Sequence, residues 1–163
     1  MKDLKLKGLE YSEGIYKLFN QRFVFFPPQI INLLSSIYGE GVKPILVWLG
    51  KKMGRVLIEN WEEVLKPKTL KELTTLFCEM FSNMGWGKFE SQEVSEDRIV
   101  IKLSQNISSS LENNFKYVCY FLSGVFSGFG EFALYRATVS EKECIIDDPE
   151  KKFCIFNIEK KQI

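Results

Sequence analysis

Histidine is absent from this 163-residue chain. That gap removes the Ser-His-Asp and Cys-His pairs of nucleophilic catalysis, a histidine-ligated haem and the HExxH zinc protease. Proton transfer near neutral pH would need a carboxylate, lysine or thiol with a strongly shifted pKa. A one-signed charge is also missing: 22 basic residues face 21 acidic ones, for a net charge of +1. No broad field draws in nucleic acid. The basic clusters, Lys51-Lys52 to Arg55 and Lys151-Lys152, are short, have acidic neighbours and read as solvated faces.

No signal peptide stands out either. Met1 to Lys7 alternates charged and apolar residues and lacks a continuous apolar stretch. In the C-terminal half the longest uncharged run, Val118 to Gly130, is too short to span a bilayer and holds three glycines. These features predict a soluble, cytoplasmic protein with no membrane span and no nucleic-acid partner. No GxGxxG dinucleotide fingerprint occurs, because Gly124, Gly128 and Gly130 have the wrong spacing. There is no internal repeat and no low-complexity linker.

What is present is apolar and aromatic. Hydrophobic residues make up 45% of the chain, and 14 residues are Phe. The length predicts a single domain, 1–163, with a hydrophobic core. So much Phe fits either a Phe-rich core or an internal apolar pocket. The pattern predicts a β-rich stretch within Ile15 to Phe26, ended by Pro27-Pro28, and a helix from Pro28 to about Gly39. A longer helix follows over 42–65, closed by Pro67. Thr69 and Glu72 form a capping box for a helix reaching about Met84, in which Cys78 reads as a small buried hydrophobe. Strands are expected at 87–94 and 98–104, a polar loop at 105–111 and a helix over 112–130. A last hairpin takes 132–146 and 153–159. This order predicts an α+β domain with an antiparallel sheet packed against several helices. Gly124 and Gly128 share one helical face, leaving room either for close packing or for a ligand.

Cys119, Glu141, Cys144 and Cys154 form the pattern C-x21-E-x2-C-x9-C. Three thiolates and a carboxylate would close a tetrahedral zinc site. Buried free cysteines and a Cys144–Cys154 disulfide are the other readings, the disulfide being disfavoured in a reducing cytosol. Zinc bound this way requires two things. Glu141 and Cys144, three residues apart, lie on opposite faces of a regular strand, so the strand must bulge or end there. The four ligands also leave a formal charge of about −2, to be offset by backbone N–H groups or by Lys142 and Lys152.

The tail resembles the 4-vinyl reductase, or hydrocarbon-binding, domain family. The match is carried by Cys119 in an apolar helix, Gly124-Val125-Phe126-Ser127-Gly128-Phe129, Glu141-x-x-Cys144 and Cys154-Ile155-Phe156. The front half agrees more loosely, and Asp147-Asp148-Pro149 stands where the family often has Gly-Asp. The resemblance implies a fold similar to the NO-signalling and Golgi-transport ligand-binding fold. It also implies a pocket between helices and sheet, braced by a structural Zn2+ on Cys119, Glu141, Cys144 and Cys154. Trp86, Phe115, Phe121, Phe126 and Phe129 are the candidate ligand-binding residues. Histidine contacts used elsewhere in the family cannot exist here, which favours an apolar or differently anchored ligand. The expected function is a stand-alone zinc-braced binding or sensor module for a small hydrophobic ligand, either hydrocarbon or aromatic. It would form a homodimer and pass its output to an effector protein in trans. The alternatives are a tetrapyrrole vinyl reductase-type enzyme, for which no hydride or electron source is evident, and a scaffold or assembly subunit.

Overall fold

The chain reverses twice before its first helix. In the computed structural model, which describes residues 8–111, 116–148 and 150–161, the N-terminal segment is an antiparallel meander. Its strands are β1 (Leu9–Ser12), β2 (Ile15–Leu18) and β3 (Gln21–Phe23). The sequence suggested one β-rich stretch from Ile15 to Phe26. Positive φ at Glu13, Gly14, Phe19 and Asn20 makes two tight reversals instead, the backbone that two-residue hairpin turns require. Val24, Phe25 and Phe26 leave the sheet and stay exposed. Pro27 and Pro28 cannot donate to a ladder, so pairing stops before them.

Helix α1 (Gln29–Tyr38), a 3-10 turn at Gly39–Gly41 and α2 (Val42–Leu65) then follow in one helical run. The run 29–65 is long and apolar enough to cross a membrane by length and composition alone. Here its inner face is packed: Leu46, Gly50, Gly54, Leu57, Ile58 and Trp61 are all buried. Helix α2 ends at Lys66, whose φ of 47° is left-handed, just before Pro67. Helix α3 (Leu70–Asn83) carries the expected capping box. The Glu72 N–H donates to Thr69 Oγ1 at 3.1 Å, and the Glu72 carboxylate accepts from the Lys68 N–H at 2.7 Å.

The second sheet is antiparallel throughout, in the order β4 (Lys88–Val94), β5 (Arg98–Ser104), β7 (Phe153–Lys160), β6 (Ala137–Glu143). Helix α4 (Lys116–Ala133) links β5 to β6. It runs past the expected end at 130, and Tyr135 turns with φ of 66°, so β6 begins at Ala137 rather than 132. The expected loop at 105–111 contains a 3-10 turn, Ile107–Ser110, capped by Asn106, whose Oδ1 accepts from the Ser108 N–H at 3.0 Å. Residues 112–115, and with them Phe115, lie outside the described residues.

Strand parity builds the core. Ile99, Ile101 and Leu103 on β5 and Cys154, Phe156 and Ile158 on β7 alternate inward and are buried. Phe77 and Phe129 stack at 4.1 Å in the middle, with Phe81 and Phe126 beside them. Helix α4 meets α2 backbone to backbone. A Cβ at Gly124 would lie 2.2 Å from the Val47 carbonyl oxygen, and one at Gly54 would lie 2.2 Å from that of Val125. Gly124 and Gly128 therefore serve close packing, and no ligand space opens on that face.

Candidate functional site

Four chain segments bring the acid groups of the tail together. Cys119 sits in the first described turn of α4, not mid-helix as the sequence suggested. Cys154 opens the core face of β7, opposite Leu103 of β5. Glu141 follows Ala137 and Val139 on the inward parity of β6. The register of β6 then shifts between Glu141 and Glu143, and the strand ends before Cys144. The bulge and the strand end together turn Cys144 to the same side as Glu141, resolving the three-residue spacing.

The Sγ atoms of Cys119, Cys144 and Cys154 and a Glu141 carboxylate oxygen all lie within 4.8 Å of one another. Cys119 and Cys144 sulfurs are 3.8 Å apart, the edge of a tetrahedron with metal–sulfur bonds of about 2.3 Å. Glu141 Oε1 is buried with no hydrogen-bond partner among the described residues. A buried acceptor of this kind needs a cation or donor to be stable.

The surrounding groups donate toward the sulfurs. Asn106 Nδ2 reaches Cys119 Sγ at 3.9 Å and Cys154 Sγ at 3.8 Å, and the Ile145 N–H donates to Cys154 Sγ at 3.4 Å. Lys116 Nζ lies 2.9 Å from Glu141 Oε2 and also pairs with Asp147. Charge is thus offset by Lys116 and by amide donors. Lys142 and Lys152, the lysines suggested by the sequence, are exposed, Lys142 being on the opposite parity of β6. Neither Asn106 nor Lys116 was singled out from the sequence. Lys116 had a signal, lying one helical turn before Cys119; Asn106 had only the cap pattern Asn106-Ile107-Ser108.

The protonation of this cluster shows its strain. Hydrogen bonds from Cys119 and Cys154 draw the Cys144 thiol well below its usual range. The same contact with Cys144, then Cys154 and burial, pushes Cys119 far up. Cys154 rises to about 11: Cys119 pulls it down, but Cys144 and burial outweigh that pull. Burial raises Glu141 to about 7, against Lys116 and aided by Cys144. Although burial disfavours its charge, hydrogen bonds to Asp147 and Glu141 hold Lys116 above the usual lysine range. Four acids this close cannot all ionise unaided. A divalent cation among them would displace the protons and hold all four as ligands, so the donor set fits a metal.

Beside the cluster lies an apolar cavity of about 530 Å³. Its walls come from the β3–α1 connection, α1, α2, α4 and the segment after α3, and every lining side chain is apolar. Trp86 and Phe121, two of the sequence candidates, line it and stack at 5.0 Å. Phe126 and Phe129 do not; they are buried in the solid aromatic core against Phe77. The sequence missed Phe23 to Phe26, Ile30 and Leu34, because nothing in their spacing separates a cavity wall from a core. Cluster and cavity touch through neighbouring residues: Ile107 lines the cavity beside Asn106, and Phe121 lines it two residues after Cys119.

No family model and no curated protein sequence matches the chain. Solved structures do. The phenol-responsive sensory domain of the transcription activator PoxR, solved with phenol, has a TM-score of 0.79 at 12% identity, over 94% of this chain and 85% of that one. Subunit 3 of a trafficking protein particle complex from Naegleria fowleri, covalently bound to palmitic acid, has a TM-score of 0.58 at 15% identity, over 82% and 90%. A vinyl-4-reductase family protein from Methanocaldococcus jannaschii has a TM-score of 0.58 at 22% identity, over 86% and 85%. The chain shares the fold of these three proteins. The α+β architecture expected from the sequence is the one observed, and at these identities the likeness is one of fold.

Proposed function

We propose that the protein is a zinc-braced binding module for a small, uncharged hydrophobic ligand. The observation that carries this reading is the contact between the wholly apolar cavity and the Cys119–Glu141–Cys144–Cys154 cluster through Asn106-Ile107 and α4. A metal there would pin α4, β6 and β7 and so fix one wall of the cavity. Three thiolates and a carboxylate suit zinc, and four protein ligands leave no position for a reactive water. The metal would be structural. A ligand burying about 250 Å² of apolar surface would gain roughly 6 kcal/mol, a dissociation constant of tens of micromolar. PoxR's sensory domain was solved with phenol and the trafficking subunit with palmitic acid, so this fold accommodates both compact and extended apolar bodies. In this chain no thiol, hydroxyl or amine lines the cavity among the described residues, so binding would be non-covalent and unanchored. A reductase would need a proton donor at the ligand, and the walls offer only the Trp86 indole N–H.

Native mass spectrometry tests this directly. We expect one zinc per chain, an apolar adduct on part of the population, and loss of the zinc with a lowered melting temperature in Cys154→Ser. A metal-free protein of unchanged stability with four reactive thiols would overturn the brace.

A further inference from the structure

The outer face of the helical run 29–65 is bare. Ile30, Leu33, Ile37, Ile45, Trp48 and Leu49 remain 43–71% exposed. They recur three or four residues apart, with Gly41 filling the step between Ile37 and Ile45. They form one seam that continues from α1 through the 3-10 turn into α2. The buried positions of α2, Val42, Leu46, Gly50, Gly54 and Leu57, face the other way. From Ile30 to Leu49 the seam itself carries no charge. With Tyr38 and Val56, each side chain leaves on the order of 100 Å² uncovered, so the seam approaches roughly the 800 Å² that one partner gives a standard interface. A monomer seldom exposes so large an apolar patch without a use for it.

We propose that this seam is the interface of a homodimer and that the second copy closes the cavity mouth. The proposal rests on the ligand-binding reading above. Three observations select a second copy. The area matches a dimer. The uncharged surface lacks the charge pattern by which a different protein would be selected, whereas a two-fold axis sets such a seam against itself without mismatch. The flanking Lys43, Lys51 and Arg55 are each paired with a carboxylate, Glu40, Glu131 and Glu59, leaving no basic rim of the kind that anchors to anionic lipid. The link to the site is direct. Ile30 and Leu49 belong to the seam and also line the cavity, next to the exposed Phe25 and Phe26. A copy seated on the seam therefore covers the side where the cavity meets solvent.

The test uses sedimentation equilibrium together with the uncharged fluorophore N-phenyl-1-naphthylamine. Leu33→Glu and Trp48→Glu alter exposed seam positions that do not line the cavity. We expect a dimeric wild type, and monomeric variants with unchanged circular dichroism that release the probe at least about tenfold faster, the scale of one lost apolar cover. Leu34→Trp, which fills the cavity, should abolish probe binding and leave the dimer intact. A monomeric wild type, or a dimer that survives both seam variants, overturns the interface. Flotation of a monomeric wild type with phosphatidylserine-containing vesicles does so in favour of a membrane surface. Monomers that release the probe at the wild-type rate overturn the closure alone. Absence of probe binding in the wild type removes the closure together with the ligand reading, while sedimentation still decides the interface.

Discussion

Asn106 shows how much one side chain can organise. Its amide points at two sulfurs that are far apart in sequence, and its carbonyl caps the turn that places Ile107 on the cavity wall. Thiol accessibility should report the cluster residue by residue. In the zinc-loaded protein we expect no rapid reaction with a disulfide reagent at pH 8. Chelation should release Cys119, Cys144 and Cys154. Cys78 should react only on unfolding, because burial, with Glu79 adding to it, holds that thiol up at about 12 and away from reagent. A fourth thiol reacting in the folded, chelated protein would place Cys78 in a mobile region. The four ligand candidates were legible in the sequence because thiols and carboxylates are few and their order is distinctive. Lys116 and Asn106 were not, since a polar residue acquires such a role only when the fold brings it to the sulfurs.

Elements were legible where their punctuation was strong. Pro67, the Thr69–Glu72 box and the Gly85-Trp86-Gly87 break placed α2, α3 and β4 correctly. The first meander was misread because its second reversal uses Phe19-Asn20, without glycine or proline, so an apolar run hid a turn. The late helix outran its expected end because Gly130 packs on Ile158 and Ala137 rather than stopping the helix. The α2–α4 contact gives the prediction at this scale. Gly124→Ala gains about 1 kcal/mol of helix propensity but forces a Cβ onto the Val47 carbonyl. Overpacking of about 1–3 kcal/mol, or more where backbone must move, wins. At about 2–4 °C per kcal/mol for a chain of this size, melting should fall by several degrees. Gly41→Ala, with no atom near its Cβ and φ of −63°, should leave melting unchanged or slightly higher. Equal melting of Gly124→Ala and wild type in a calorimeter would mean that the helices are not in backbone contact.

At the scale of the molecule, the seam and the cavity occupy one side and the acid cluster lies behind them, with α4 running between. The fold class was readable from element order alone, since hairpins flanking a buried helix leave few architectures. The seam was not, because periodicity marks an apolar face without saying what covers it. The bridge at Asn106-Ile107 has one more consequence. Replacing the zinc by cobalt(II), which takes the same ligands, would turn the thiolate cage into a chromophore. Anything entering the hollow presses on Ile107, one peptide bond from the amide aimed at two of the sulfurs. The visible spectrum of the cobalt protein should therefore shift as guest is titrated in, making the colour of the metal a gauge of occupancy. A spectrum that stays fixed while guest binding is seen by calorimetry would mean that brace and hollow share a border without sharing strain.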